Sequence, residues 1–231
     1  MDYNSFLELV QKRRTIRSFK PDPVPDELID KIIEAVRWAP SGANSQPWEF
    51  IVVKKQELKD GIVKIFEEGD VLAYRMELTR EPQLRLPLYN KPPQQPPSFA
   101  TAPVFIVMCG DPRTKIAYPI RDGSYRGQSN YLSSLASACI YLHLAATTLG
   151  LGAKWITATG IPFEQCLIKQ LLEIPNELEI YETIAIGYPA HEPKPRMLRA
   201  KEDIVHCDYY DKTKFRTDND VKSFISSLRN G

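Results

Sequence analysis

Residues 128–149 carry small or apolar side chains on nearly every side of a predicted helix. The apolar positions are Leu132, Leu135, Ala136, Ala138, Cys139, Leu142, Ala145 and Ala146. A helix that is hydrophobic all round is buried, either in a core or at a subunit interface. Gly150 and Gly152 follow the segment and supply a helix stop. We therefore expect the other elements of the chain to pack around one central helix.

Other periodic segments surround this helix. Apolar runs of strand length lie at 50–53, 104–108, 153–157 and 181–188, and helical patterns lie at 5–14, 25–40, 56–66 and 163–172. Strands and helices alternate only loosely, which indicates an α+β or α/β class. The chain has 231 residues, 43% of them hydrophobic, so it can bury a sizeable core without staples. We predict one domain over residues 1–231, with a polar C-terminal extension from about residue 200.

An insertion over about residues 69–103 has a different composition. Seven of the 19 prolines lie between Pro82 and Pro103, and proline is excluded from helix interiors and central strands. A long insertion in a compact domain is either a lid over a binding site or a disordered segment. Apolar residues inside it favour an ordered lid; they are Tyr74, Met76, Leu84, Leu86, Leu88 and Tyr89.

Charge and cysteine spacing exclude several classes of protein. The chain has 30 basic and 29 acidic residues, which gives a net charge of +1. This balance argues against a protein that binds nucleic acid through many phosphate contacts. Its cysteines form no CxxC pair, so we expect four buried or half-buried thiols and no metal site; they are Cys109, Cys139, Cys166 and Cys207. No apolar run approaches a membrane span, and the first ten residues lack a signal-peptide core. We expect a cytoplasmic protein with no membrane partner.

A basic run begins at Lys12 and ends at Arg17, with Lys20 close behind. Guanidinium groups bind phosphate through paired hydrogen bonds, so the run is a candidate anion clamp. An isolated run of this kind is more often a solvated basic face. A nucleic acid patch is the weaker alternative, because the rest of the chain is neutral.

A second motif is the run Ala39-Pro40-Ser41-Gly42-Ala43-Asn44-Ser45-Gln46-Pro47-Trp48, between a predicted helix and a predicted strand. Small residues allow a close backbone approach, and amide side chains offer paired donor and acceptor edges. That combination suits a planar heterocycle with imide groups. A plain loop of turn residues is the alternative, although it requires less specificity than this run has.

A third motif, Gly187-Tyr188-Pro189 with Lys194 and Arg196, comes just after the last predicted strand. It is either a basic surface loop or a second cationic group. In the latter case it would complete a phosphate site with the basic run from a distant point in the chain.

Together these motifs resemble the nitroreductase family of flavin (FMN) oxidoreductases. The resemblance spans roughly residues 3–200, except the proline-rich insertion, and rests on residues 13–19, 39–48, 149–152 and 185–189. It implies an α+β fold in which helices flank a central mixed or antiparallel sheet. It also implies an intertwined homodimer with two FMN molecules at the subunit interface, and NADH or NADPH as electron donor.

The resemblance assigns one group of residues to the FMN phosphate and the pyrimidine edge of the flavin. In the basic run these residues are Arg13, Arg14, Thr15 and Arg17. Arg17 matches the position of a cation beside the flavin N1–C2 carbonyl. Lys194 and Arg196 match a cationic pair near the phosphate.

A second group is implied to contact the flavin ring. Asn44 and Gln46 would contact the isoalloxazine, and Pro40, Ser41 and Gly42 would approach it from the partner subunit. The loop near flavin N5 comprises Thr157, Ala158, Thr159 and Gly160. No side-chain nucleophile or general acid is required, because the cofactor carries the redox chemistry.

The implied activity is hydride transfer from NAD(P)H to a nitroaromatic, a quinone or a related small acceptor, by a ping-pong mechanism. Two alternatives stay open. One is a specialised branch, with oxygen-dependent flavin chemistry or with reductive dehalogenation like that of iodotyrosine deiodinase. Glu67, Glu68 and Tyr74 lie near where the dehalogenating branch uses lid residues to bind its substrate. The other is a non-catalytic flavin-binding protein.

Overall fold

The computed structural model describes residues 2–193 and 196–229. The chain divides into two compact units between Glu192 and Pro193. The first unit contains the sheet and its covering helices. The second is built from residues that follow the last strand.

A four-stranded antiparallel sheet lies at the centre of the first unit. Its strands are β1 (Trp48–Val53), β2 (Val104–Gly110), β3 (Gly152–Ile156) and β4 (Glu179–Gly187). They occupy the four predicted apolar runs in the order β1-β2-β4-β3. Every residue of β2 is buried, as expected for a central strand covered on both faces. β1 and β3 are therefore the edge strands, and segments that adjoin them lie at opposite edges of the sheet.

Helices cover both faces of the sheet, which confirms the predicted α+β class. One face packs against α2 (Asp26–Val36) and α4 (Ile120–Thr148), and the other against α3 (Gln56–Leu78) and α5 (Pro162–Leu171). Fully buried side chains in the two layers include Ile32, Leu142, Ile184, Ile62, Phe105 and Ile168. Each such side chain contributes roughly 1.5–3 kcal/mol by leaving water. The N-terminal helix α1 (Tyr3–Lys12) has no buried residue.

Helix α4 is the predicted central helix, but it is not buried on all sides. Leu135 and Leu142 face the sheet and are buried. Elsewhere on the helix, Leu132 and Ile140 are each 41% exposed, and Tyr141 is 38% exposed. The apolar pattern predicts burial in a core or at a subunit interface, and a single chain leaves these apolar side chains open to another surface.

The insertion begins as a helix. The helix predicted to end near Phe66 continues to Leu78, because residues 67–78 contain good helix formers and no proline. Beyond it, prolines break the chain into short 3-10 turns at Pro82–Leu84 and Pro87–Asn90. Phe99 near the end of the insertion is fully buried, and its ring meets that of Phe66 edge-on at 4.9 Å. The insertion is thus joined to the core at both of its ends.

The cysteines follow the prediction only in part. Cys109 and Cys139 are buried, but Cys166 and Cys207 are exposed, so the prediction of covered thiols is wrong for these two. Cys166 lies on the outer side of α5, away from the buried Ile168. Within the described residues, no helix has the length and apolarity needed to cross a membrane.

The second unit consists of short 3-10 turns and helix α6 (Asp218–Arg229). Its own contacts include the stacked rings of His206 and Tyr210, with centroids 4.2 Å apart, and Arg216 over the ring of Phe224 at 4.9 Å. These contacts give the polar C-terminal residues a local structure.

Candidate functional site

The basic segment (residues 13–20) is held against the edge of the sheet by its backbone. Thr15 forms a parallel bridge with Ala153 of β3, and the Ile16 amide donates to the Ala153 carbonyl at 3.1 Å. Further along, the Lys20 amide donates to the Tyr188 carbonyl at 2.9 Å, just beyond β4. Ile16 and Phe19 are buried at 7% and 4% exposure. The intervening polar side chains are therefore presented from a fixed backbone.

The arginines of this segment lie on both sides of β3. Burial together with the nearby charge of Arg13 lowers the pKa of His143, on α4, to about 4. Burial and the charge of Arg17 lower the pKa of Lys154, whose side chain projects to the α3 side of the sheet instead. Arg14 is half-buried and donates from Nη1 to the carbonyls of Gln11 and Arg13, at the end of α1. The segment thus concentrates cationic groups around one strand edge.

The amide loop (residues 40–47) is docked on helix α4. The Gly42 amide donates to Ser134 Oγ at 3.0 Å, and a Cβ at Gly42 would stand 3.0 Å from the ring of Tyr118. Inside the loop, the Gln46 amide donates to Ser41 Oγ at 3.0 Å. These contacts fix the loop at the point where it enters β1.

Three non-glycine residues of the amide loop have left-handed backbones. The φ angles are 51° at Ala43, 52° at Asn44 and 42° at Gln46. Such conformations cost about 1–3 kcal/mol each and cluster at ligand sites. The Gln46 side-chain amide donates to Asn44 Oδ1 at 3.2 Å, and both side chains are exposed. The strained backbone therefore presents a pair of preorganised amide groups to the outside.

The turn between β3 and α5 (residues 157–160) is tied closely to β4. Thr159 is fully buried and donates to the Ile156 carbonyl at 2.9 Å, whereas Thr157 is exposed. A Cβ at Gly160 would stand 3.0 Å from the Tyr181 carbonyl oxygen, so glycine permits this close approach. Thr157 and Gly160 line a cavity of about 420 Å³, which Glu182 also borders. This is a size range that suits small ligands.

The fold holds the amide loop and the basic segment apart within one chain. The amide loop enters β1 at Trp48, which aligns with the β4 end at Glu179 through β2. The basic segment contacts β3 near Gly152, which pairs with Gly187 at the other end of β4. The two motifs thus adjoin opposite edges and opposite ends of the sheet. Strand spacing alone separates the edges by roughly 14 Å.

The third predicted motif is only partly described. Lys194 lies outside the described residues. Arg196 is exposed and belongs to the second unit. Tyr188 and Pro189 adjoin the basic segment, because Pro189 forms a bridge with Phe19. The glycine before them is needed there, since a Cβ at Gly187 would stand 2.6 Å from Pro103.

Sequence reasoning missed Lys154 and Glu182. Lys154 interrupts the apolar run of β3 and lies beside the basic segment. Glu182 is 8% exposed on β4, and burial raises its pKa to about 7. Within the described part of the chain, its Oε2 has no hydrogen-bond partner. The available signal was a charged residue inside an apolar run: Lys154 in β3 and Glu182 in β4.

Comparison with known proteins adds independent findings. A family model described as the Nitroreductase family matches residues 10–188. A Methanothermobacter thermautotrophicus protein named "Putative NADH dehydrogenase/NAD(P)H nitroreductase" is 32% identical over 207 residues, which cover 87% of this chain and 86% of that protein. Iodotyrosine deiodinase of Nematostella vectensis is 28% identical over 197 residues, covering 84% of this chain and 71% of that protein.

A solved structure shares the fold. It is the crystal structure of oxidised iodotyrosine deiodinase bound to FMN and 3-iodo-L-tyrosine, with a TM-score of 0.67 and 27% identity. The match covers 89% of this chain and 98% of that one. The fold predicted from the motifs is confirmed, and the relatives carry the names of NAD(P)H nitroreductases and of iodotyrosine deiodinases.

Proposed function

The chain belongs to the nitroreductase family, and on this premise we propose that it is an FMN-dependent oxidoreductase that takes hydride from NAD(P)H. It passes the hydride to a nitroaromatic, a quinone or a related small acceptor by a ping-pong mechanism. The reaction alternates between a donor and an acceptor at one site, so the two substrates need never be bound together.

The observation that carries the proposal is the docking of the basic segment on β3. Buried Ile16 and Phe19 fix the backbone, and the arginines between and before them remain half-buried or exposed. Within the described residues, no carboxylate lies in ion-pair range of Arg14 or Arg17. Guanidinium groups that lack a carboxylate partner fit a phosphate ester, which they bind bidentately. Arg14 therefore fits the phosphate end of FMN, and Arg17 is proposed to act at the pyrimidine edge.

A second copy of the chain would complete the site. The amide loop lies at the opposite corner of the sheet from the basic segment, so a partner must supply Pro40, Ser41, Gly42, Asn44 and Gln46 to the same flavin. The exposed apolar side chains of α4, Leu132, Ile140 and Tyr141, are available for contacts in such a homodimer. Lys194 and Arg196 are proposed to add cations at the phosphate.

In the proposed mechanism, bound FMN supplies the hydride chemistry. Arg17 would stabilise the negative charge that reduction places at the pyrimidine edge. The turn at 157–160 would hold and orient the N5 edge through its backbone groups and the hydroxyl of the exposed Thr157. The amide loop would exclude water from one face of the ring and hold its imide edge. A side-chain nucleophile is not needed in this scheme.

Initial-rate kinetics test this function. With purified protein and added FMN, NAD(P)H oxidation at several fixed concentrations of a quinone acceptor should give parallel double-reciprocal lines. Intersecting lines would contradict the ping-pong mechanism. Rapid mixing of NADH or NADPH with the flavin-loaded protein should bleach the flavin before any acceptor is added. Absence of bleaching, with dithionite still reducing the flavin, would contradict the NAD(P)H donor.

Reductive dehalogenation is the second candidate function. Glu67 and Tyr74 are seven positions apart on α3, so they share one side of the helix, and both are half-buried. Their position at the start of the insertion suits contact with a zwitterionic substrate. Incubation with 3-iodo-L-tyrosine and dithionite tests it. Iodide release at a rate above that of free FMN supports this function, and release only at the free-FMN rate rejects it.

A further inference from the structure

Lys154 is a half-buried cation inside a short apolar strand. It lies on β3 between the buried Ala153 and the half-buried Trp155. Its side chain crosses to the α3 side of the sheet, where Nζ stands 4.6 Å from the ring centroid of Phe99. The ammonium also donates to Ser98 Oγ at 3.3 Å. Lys154 therefore connects the edge of the sheet with the end of the insertion.

The surroundings of Lys154 are electrostatically unbalanced. Burial lowers the pKa of Lys154, the charge of Arg17 lowers it further, and Asp70 on α3 opposes both. Within the part of the chain that the structure describes, no carboxylate lies within 4.0 Å of its Nζ. Asp70 is itself partly desolvated, and burial raises its pKa. One acid, Asp70, thus faces two cations, Lys154 and Arg17.

Two like charges that converge at a partly buried place repel each other, and the repulsion grows as the local dielectric constant falls. The cation–π contact with Phe99 contributes about 0.5–2 kcal/mol and does not cancel a second positive charge. An anion placed between Lys154 and Arg17 would convert the repulsion into attraction to both. The arrangement therefore indicates a site for negative charge rather than an internal ion pair.

We propose that Lys154 is a second cation, beside Arg17, at the edge of the flavin site that becomes negative on reduction. The inference rests on the proposed function, because that function places Arg17 beside the N1–C2 carbonyl. It adds Lys154 on β3, which is held by Ser98 and Phe99 of the insertion. The insertion then controls the position of a charge that favours reduced over oxidised FMN.

A merely structural role for Lys154 predicts a different result. If Lys154 only anchors Phe99, loss of its charge would lower the melting temperature and leave the redox properties of bound FMN unchanged. The two neutral variants Lys154→Met and Lys154→Gln keep the stem and remove the charge. Lys154→Arg keeps a cation, and Lys64→Met removes an exposed lysine from α3 as a matched control.

The test measures the midpoint potential of bound FMN and the dissociation constant of oxidised FMN in each variant. We expect the neutral variants to lose about tenfold in the ratio of reduced to oxidised FMN affinity, which is about 30 mV for a two-electron couple. Lys154→Arg and Lys64→Met should stay near the wild-type potential. Having two neutral variants keeps the test valid if one fails to fold.

An unchanged potential in a folded, FMN-loaded neutral variant would overturn the inference while leaving the proposed function intact. An equal drop in Lys64→Met would also overturn it, because the effect would then be one of general charge. If the wild-type protein bound no FMN, the proposed function itself would fail. The failure of the inference and that of the function are therefore distinguishable.

Discussion

Ile16 packs directly onto Gly152: a Cβ at Gly152 would stand 2.4 Å from Ile16 Cγ1. The glycine at the start of β3 is thus required by the side chain that anchors the basic segment. Because Thr15 and Arg17 flank Ile16, the contact sets the position of candidate FMN-binding residues on both sides. A single methyl group at residue 152 should therefore disturb the site.

Gly152→Ala is expected to displace the basic segment. Overpacking of this kind costs about 1–3 kcal/mol in the free energy of unfolding. FMN affinity should fall by tenfold or more, because the arginines move with Ile16. Gly150→Ala is the matched control: Gly150 has a φ of 75° and open space around it, so alanine there strains only the backbone. Equal FMN affinity in the two variants, measured by fluorescence titration, would contradict this role of Gly152.

Arg14→Ala is expected to weaken FMN binding without unfolding the protein. The Arg14 hydrogen bonds reach only backbone carbonyls at the end of α1, so their loss should cost a few tenths of a kcal/mol. Loss of a charge-assisted phosphate contact, worth about 1.5–3 kcal/mol, should weaken FMN binding by roughly 10- to 100-fold. Lys12→Ala, an exposed neighbour, serves as the control. The phosphate clamp is wrong if Arg14→Ala binds FMN as the wild type does.

Local sequence patterns predict most of the elements of this fold. Short apolar runs predict strands β1 and β2. Gly150 ends α4 with the left-handed backbone expected of a glycine that follows a helix C-terminus. The prediction for α3 is too short, because it stops before an insertion that has no proline until Pro82, and Val71, Tyr74 and Leu78 continue a helical spacing up to Leu78. Tertiary packing also decides the role of Gly152, which pattern reasoning assigned to the helix stop.

The arrangement of the candidate site is predictable only in part. The residue types in the basic segment and the amide loop indicate what they can bind. Their placement at opposite corners of the sheet depends on the strand order, which no local pattern fixes. Lys154 and Glu182 were missed because a single polar residue in an apolar run has no periodic signal.

Glu182→Gln is expected to change how stability depends on pH. The folded-state pKa of Glu182 is raised from 4.5 to about 7, so the folded protein holds a proton that the unfolded chain releases. Stability therefore falls as pH rises from 4.5 through 7, and the full penalty is present above that range. It amounts to about 3 kcal/mol.

Urea unfolding at pH 5 and pH 8 measures this effect. The free energy of unfolding of Glu182→Gln, relative to that of the wild type, should rise by up to about 3 kcal/mol between pH 5 and pH 8. Glu49 is an exposed residue of β1, and the free energy of unfolding of Glu49→Gln should depend on pH as that of the wild type does. A constant difference between Glu182→Gln and wild type at both pH values would show that Glu182 ionises normally in the folded protein.

A site shared between two copies should show complementation. Arg14→Ala/Arg17→Ala removes one half of the site, and Ser41→Ala/Asn44→Ala removes the other. Each variant alone should bind FMN poorly. After the two are unfolded and refolded together, one site of each mixed dimer is intact, which restores about a quarter of all sites. No recovery in a mixture that forms dimers by light scattering would place both motifs at a site within one chain.

The most direct test of the account is the visible absorption spectrum of the purified protein, with the released chromophore identified and NAD(P)H then added without air. The account predicts about one FMN per subunit and loss of the flavin absorbance when NADH or NADPH is supplied. A colourless protein that also fails to take up added FMN would contradict it. The basic segment on β3 would then be a surface patch instead of a cofactor clamp.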